Sequence, residues 1–224
     1  MSKSDFIDDF YFALIRLAFA SIILFTILYS ICDKGIDIVV ITREGKAIKL
    51  HIQGLARLSF FTYWCWTLQG IYFLITGMLS LLSYYNINLI NTTINTTYLS
   101  IFNSIIWCMF EVCFSCAYLV STVVTYILIP AHIREGNSTT LFFKPIAWLS
   151  HNMNVVFIGL EMCLNRLHFN YYHFIFAILF GLSYTLFSWY YYTKVGVFYY
   201  FFLDYDRKDS SVMYIAVMSV VSIV

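Results

Sequence analysis

Apolar residues along the chain gather into long runs, separated by shorter stretches in which the charges collect. The runs cover 10–32, 58–82, 99–129, 146–164 and 171–193, and a sixth begins at Val212. Each of the first five is close to or above the roughly 20 residues that a helix needs to cross a hydrocarbon core of about 30 Å. The third is long enough that it must tilt or extend past the membrane. The sixth has 13 residues, Val224 included. That is too few to cross, so the pattern predicts a sixth helix of which only part is present. The expected fold class is an all-α membrane protein, a polytopic bundle of about six transmembrane helices forming one transmembrane domain over 1–224. No internal repeat and no extramembrane domain stand out.

Composition agrees. Of the 224 residues, 61% are hydrophobic, 21% aromatic and 11% charged, whereas soluble domains carry about 25% charged residues. A soluble chain this apolar would have too little polar surface to present to water. The net charge of +1 predicts nothing about nucleic acid, and with no basic patch outside the loops no nucleic-acid partner is expected. Membrane lipids, and other membrane proteins, are the partners expected. The first run is longer than the 7–15 residues of a signal-peptide core and follows Asp5, Asp8 and Asp9 rather than basic residues, so it reads as a first membrane helix. Cys108, Cys113 and Cys116 share the C-x4-C-x2-C spacing of some iron–sulfur ligand runs. On an apolar helix without a fourth cysteine nearby they read as small buried side chains. No metal and no cofactor is expected.

The basic residues also orient the chain. Loop 33–57 carries Lys34, Arg43, Lys46, Lys49 and Arg57, loop 130–145 carries Arg134 and Lys144, and loop 194–211 carries Lys194, Arg207 and Lys208. These are ten of the thirteen Lys and Arg residues. The opposite side holds Lys3 and Arg166. The positive-inside rule puts the three basic loops in the cytosol and the N-terminus outside. Sequons at Asn91 and Asn95 then face the exterior or lumen, and the one at Asn137 does not. Tyrosines and tryptophans near the span ends, such as Tyr84, Trp148, Tyr190 and Tyr200, form an interfacial belt. The protein is expected to be integral to the plasma membrane or the endoplasmic reticulum.

Ionisable groups inside a bilayer are costly and invite a functional reading. At about 100° per residue, the second span aligns Thr62, Gln69, Thr76 and Ser80 within roughly 40°. The third aligns Ser104, Glu111, Ser115 and Thr122 within about 40°, and the fourth aligns His151, Asn154, Glu161 and Asn165 within about 80°. Such stripes should face the bundle interior, because lipid offers them no partners. Thr62 and His151 stand about four and five residues inside the basic-side ends of their spans, which places them within about 2 Å of one level. Arg16 and Glu161 lie near the opposite face, where they could pair. For Gln69, Thr76 and the Ser104 stripe, hydrogen-bond glue between helices at about 0.6 kcal/mol each is the simpler reading.

Two segments carry a resemblance. One is Phe60-Phe-Thr-Tyr-Trp-Cys-Trp-Thr-Leu-Gln69, with its Thr-x6-Gln spacing. The other is Trp148-Leu-Ser-His-Asn-Met-Asn154 with Glu161, followed by His173-Phe-x4-Leu179-Phe-Gly-Leu-x-Tyr184 and by Tyr199–Asp204. Together they resemble the rolling-stone-like membrane proteins and the related androgen-induced membrane hydrolases, over about residues 55–205. The resemblance implies six membrane helices. In the hydrolase branch it implies an intramembrane threonine nucleophile and a histidine that cleave fatty-acid esters of hydroxy fatty acids. Thr62 matches the nucleophile. The hydrolase histidine is the second of an Asn-His-x-x-His pattern, and its position here is Asn154, with His151 at the first. Asparagine is no general base at neutral pH. The His-x-x-Asn pattern is more similar to the rolling-stone branch, which is associated with myoblast fusion. Three readings follow: a membrane protein of cell fusion or adhesion without catalysis, a lipid esterase using Thr62 and His151, and a transporter or channel with Glu111 on an ion path. The site residues expected are Thr62 and His151, with Gln69, Asn154, Glu161 and Glu111 around them.

Overall fold

The computed structural model describes residues 4, 6–41, 47–85, 96–208, 210–212, 214, 215 and 219. Most of the sixth expected span lies outside these residues, as do Lys3, Asp5, Arg43, Lys46, Asn91 and Asn95. The described chain is mostly helical. Helix α1 is Asp9–Cys32, started by the Asp8 side chain, which accepts from the Phe10 N–H at 2.8 Å. Helix α2 is Phe61–Tyr84. Helix α3 is Thr97–Arg134, continuous through a π-helical turn at Val124–Leu128. Helix α4 covers 145–164 in three joined pieces, Pro145–Trp148, the π-helical turn Leu149–Met153, and Asn154–Leu164. Helix α5 is Phe174–Val195, closed by Gly196 at φ 77°, the left-handed conformation that commonly ends a helix.

Four of these are long and apolar enough to cross a membrane: α1, α2, α3 and the stretch Tyr171–Val195 that contains α5. Helix α4 falls outside that set, because Ser150, His151, Asn152, Asn154 and Glu161 lower its hydropathy. It nevertheless runs the length of the bundle. Pro145 and Ile146 at its start line a cavity with Asp33, Phe60 and Tyr199, whereas Arg166 and Leu167 just past its end line another with Asp9, Ser83 and Leu99. The first group gathers the ends that carry the basic loops, hereafter the basic end. The second group marks the opposite end.

Helix α3 sits between two apolar clusters. One joins Phe110, Cys113 and Ala117 to Trp66 and Phe73 of α2, Ile23 of α1 and Phe157 of α4. The other joins Cys116, Leu119 and Val120 to Cys65 of α2, Tyr184 of α5 and Phe202. Helices α1 and α2 approach closely at two glycines. A Cβ on Gly70 would stand 2.8 Å from Ile23 Cγ2, and one on Gly77 would stand 2.9 Å from Leu17 Cγ. Small residues permit this kind of backbone approach between membrane helices.

The loop 33–57 is more than a basic connection. Ile36–Ile41 and Ala47–Ile52 form an antiparallel hairpin, β1 and β2, with Ile36 opposite Ile52 and Asp37 opposite His51. Its β-branched residues suit a half-buried pleated surface, and Val40 and Ile52 are buried.

Candidate functional site

The polar stripe of α2 faces inward, with Thr62, Gln69, Thr76 and Ser80 all buried. In α4, Asn154 and Glu161 are buried and His151 is half-buried. The stripe of α3 is broken, since Glu111 and Ser115 are buried but Ser104 is exposed and donates to the Ser100 carbonyl of its own helix. Ser104 is therefore no interhelical glue. The Gln69 side chain does bridge helices, donating from Nε2 to the Asn154 carbonyl at 2.9 Å.

Thr62 and His151 line one cavity of about 450 Å³ at the basic end. Ser150, Tyr199, Tyr200 and Arg57 share its wall, and Ile36 and Ile38 of the hairpin cover part of it. Both π-helical turns border it, through Val124 and Leu128 on α3 and Ser150 and His151 on α4. Such turns rearrange side chains on a helix face and often occur at functional sites. His151 Nδ1 is buried and has no hydrogen-bond partner among the described residues. The same holds for Asn154 Nδ2, whereas Asn154 Oδ1 accepts from the Val155 N–H.

Thr62 is the second residue of α2. Its own N–H and that of Phe61 are among the first-turn donors that no intrahelical carbonyl reaches, and Phe60 provides no side-chain cap. The Tyr200 hydroxyl lies against this turn, beside the Thr62 side chain and these two N–H groups. Burial raises the Tyr200 phenol well above its ordinary value, so it stays protonated and able to donate. Thr62, Tyr200, Val124 and Leu128 also border a narrow apolar slot of about 50 Å³, walled by Leu119, Val123 and Phe202. Thr62 thus stands where a cavity with polar groups on part of its wall meets an apolar slot.

A second polar centre lies toward the opposite end. Arg16 Nε donates to both Glu161 oxygens at 3.1 and 3.0 Å, and Nη2 also contacts Glu161 Oε1. Arg16 Nη1 donates to Ser80 Oγ at 2.7 Å, Tyr72 donates to Glu161 Oε1 at 2.8 Å, and the guanidinium covers the Phe12 ring at 3.6 Å. Glu161 is consumed in this network and lines neither the cavity nor the slot. Glu111 is engaged elsewhere, accepting from the Asn170 N–H at 2.8 Å and standing 2.9 Å from His173 Nδ1. These contacts tie it to the connection between α4 and α5.

Of the six expected site residues, Thr62 and His151 share the cavity wall, Gln69 and Asn154 touch each other beneath it, and Glu161 and Glu111 belong to separate networks. Two wall residues escaped the sequence reading. From sequence, Tyr200 reads as part of the interfacial aromatic belt and Arg57 as an orienting charge, although its place five positions before Thr62 is a usable signal. No family model matches the chain, and no curated protein and no solved structure is significantly similar to it.

Proposed function

We propose that the protein is a polytopic membrane protein of the rolling-stone-like and androgen-induced-hydrolase kind, crossing the bilayer about six times, and that its basic-end cavity hydrolyses a lipid ester. The observation that carries this reading is the common cavity of Thr62 and His151, with the His151 Nδ1 buried and unpartnered. A hydroxyl becomes an effective nucleophile when a neighbouring base removes its proton. In this scheme His151 takes the Thr62 proton as Oγ1 attacks the ester carbonyl carbon. The carbonyl oxygen becomes an oxyanion at the first turn of α2, where it takes the place of the Tyr200 oxygen as acceptor for the N–H groups of Phe61 and Thr62 and accepts from the Tyr200 hydroxyl. The ester C–O bond then breaks, and His151 returns the proton to the departing alcohol. Water, deprotonated by the same imidazole, cleaves the acyl-threonine to free the acid and restore Thr62. The apolar slot beside Thr62 suits the short stretch of hydrocarbon next to the ester.

Labelling of the folded, membrane-inserted protein with a fluorophosphonate probe tests the scheme. Wild type should label, and Thr62→Ala and His151→Ala should each abolish labelling, because a nucleophile and its base act as a unit. Asn154→His should leave labelling intact, since His151 already supplies the base. An unlabelled wild-type protein would return the reading to a non-catalytic membrane protein of cell fusion or adhesion. That second reading is favoured by Asn154, which occupies the hydrolase histidine's position and is held by Gln69.

A further inference from the structure

The cavity wall holds a charge that the esterase scheme does not use. Arg57 stands in the 3-10 turn Gly54–Ser59 that leads into α2, and it is 5% exposed although it belongs to a loop. Its Nε and Nη1 are buried without a hydrogen-bond partner among the described residues. The Asp33 carboxylate at the end of α1 is 3.7 Å from Nη1, close enough to balance charge but too far to accept a hydrogen bond. A guanidinium offers five N–H donors in a rigid fork. Burying it with donors unfilled is costly unless something else accepts from them. The surroundings favour an anion: Lys144 and His132 line the same cavity, and Asp33 is the one carboxylate among the described residues of its wall.

We infer that Arg57 is the anion-binding residue of this cavity, and that the lipid it takes carries an oxyanion head group, carboxylate or phosphate, at the basic end. The planar fork fits two oxygens of either group. Such a ligand would rest its head on Arg57 and extend past Thr62 into the apolar slot. The inference deepens the lipid-site reading of the cavity, but it does not depend on Thr62 being a nucleophile.

The test uses the full chain in phosphatidylcholine nanodiscs and measures binding of oleate, oleoyl lysophosphatidate and oleyl alcohol, which share a chain and differ in head group. Wild type should bind at least one of the two anions about tenfold or more tightly than the alcohol, the size expected of a hydrogen bond to a charged group. Which anion leads identifies the head group. Arg57→Gln should lower the anion to the level of the alcohol while alcohol binding, the measure of an intact cavity, stays unchanged. Lys144→Gln, at the exposed rim, should reduce the preference by less than about threefold, as screened surface charges do. Thr62→Ala should keep the preference, so failure of the esterase scheme and failure of the anion site give different results. Equal affinity for the three lipids in wild type would overturn the inference. So would a preference that survives Arg57→Gln, or one that collapses in Lys144→Gln.

Discussion

Arg16 and Glu161 are 145 positions apart in the chain, and each side chain is 1% exposed where the two meet between α1 and α4. Neither charge could stay there alone. Removing one member of a buried ion pair strands the other and typically costs about 3–5 kcal/mol, whereas replacing both with apolar side chains of similar size is often near neutral. Arg16→Met and Glu161→Leu should therefore each lower stability by about that amount, and the double variant should lose much less than the sum. Unfolding in detergent, followed by the folded fraction, measures this. Additive losses would mean that the pair contributes as two independent residues.

Tyr72 adds a third partner to the same carboxylate. Its hydroxyl donates to Glu161 Oε1 from a fully buried position. Tyr72→Phe should cost about 1.5–3 kcal/mol, the range for a hydrogen bond to a charged group. The loss should vanish in the Arg16→Met, Glu161→Leu background, which lacks the acceptor. A loss that persists there would assign the effect to ring packing instead.

The two glycines of helical segments that pack differently should respond in opposite directions. At Gly77 a Cβ would meet Leu17 Cγ at 2.9 Å and Arg16 Cβ at 3.2 Å, while at Gly159 a Cβ would meet nothing within 4 Å among the described residues. Gly77→Val should cost about 1–3 kcal/mol through overpacking and should weaken the Arg16 fork by pushing α1 outward. Gly159→Ala should be neutral or stabilise by up to about 1 kcal/mol through helix propensity. The same unfolding assay compares them, and equal effects would contradict the close approach of α1 to α2.

Helix positions were legible in the sequence because lipid allows few alternatives to a long apolar helix, and polar stripes have only the interior to face. The stripe of α2 follows this rule at all four positions. The rule failed at Ser104, whose hydroxyl meets its donor's need with a carbonyl of its own helix, an option that angular alignment cannot reveal. The hairpin is hard to read from sequence because Asp37, Lys49 and His51 interrupt its apolar residues, while the β-branched residues between them suit the paired strands. Helical phase brought Thr62 and His151 to one level. It could not reveal the π-helical turn at Leu149–Met153, which shifts the phase of α4 at His151. Arg57 escapes the sequence for a related reason: a basic residue at a span end usually reaches water, and this one is folded inward.

The hairpin should titrate. His51 Nδ1 is 2.8 Å from Asp37 Oδ1, and Lys49 Nζ is 2.9 Å from Asp37 Oδ2. The hydrogen bond to Asp37 raises the His51 pKa above its ordinary 6.5. The bonds from His51 and then Lys49 lower the Asp37 pKa below its ordinary 3.8. The histidine contribution is complete below pH 6.5 and is lost as pH rises through the raised value. The aspartate contribution is present above pH 3.8 and is lost as pH falls through the lowered value. The hairpin is thus firmest between those limits. Asp37→Asn should return the His51 titration, followed by NMR of its ring protons, toward 6.5. An unmoved titration would remove Asp37 as the cause.

Helix α4 decides how many times the chain crosses. It is bounded by Lys144, on the wall of the basic-end cavity, and by Arg166, on the wall of the cavity at the other end. At 1.5 Å per residue, 145–164 reaches about 30 Å, the thickness of the hydrocarbon core. Its polar residues need not oppose crossing, because Asn154 and Glu161 are buried against other helices rather than lipid. Single cysteines at Lys49, Lys144 and Arg166 can be read with a membrane-impermeant thiol reagent after the exposed Cys32 and Cys163 are changed to serine. Arg166→Cys should label in intact cells, and Lys49→Cys and Lys144→Cys should label only after permeabilisation, as the positive-inside rule requires. The reverse pattern would invert the orientation but keep the crossing. Labelling of Lys144→Cys and Arg166→Cys from the same side would mean that α4 does not span, and the six-crossing arrangement would fall with it.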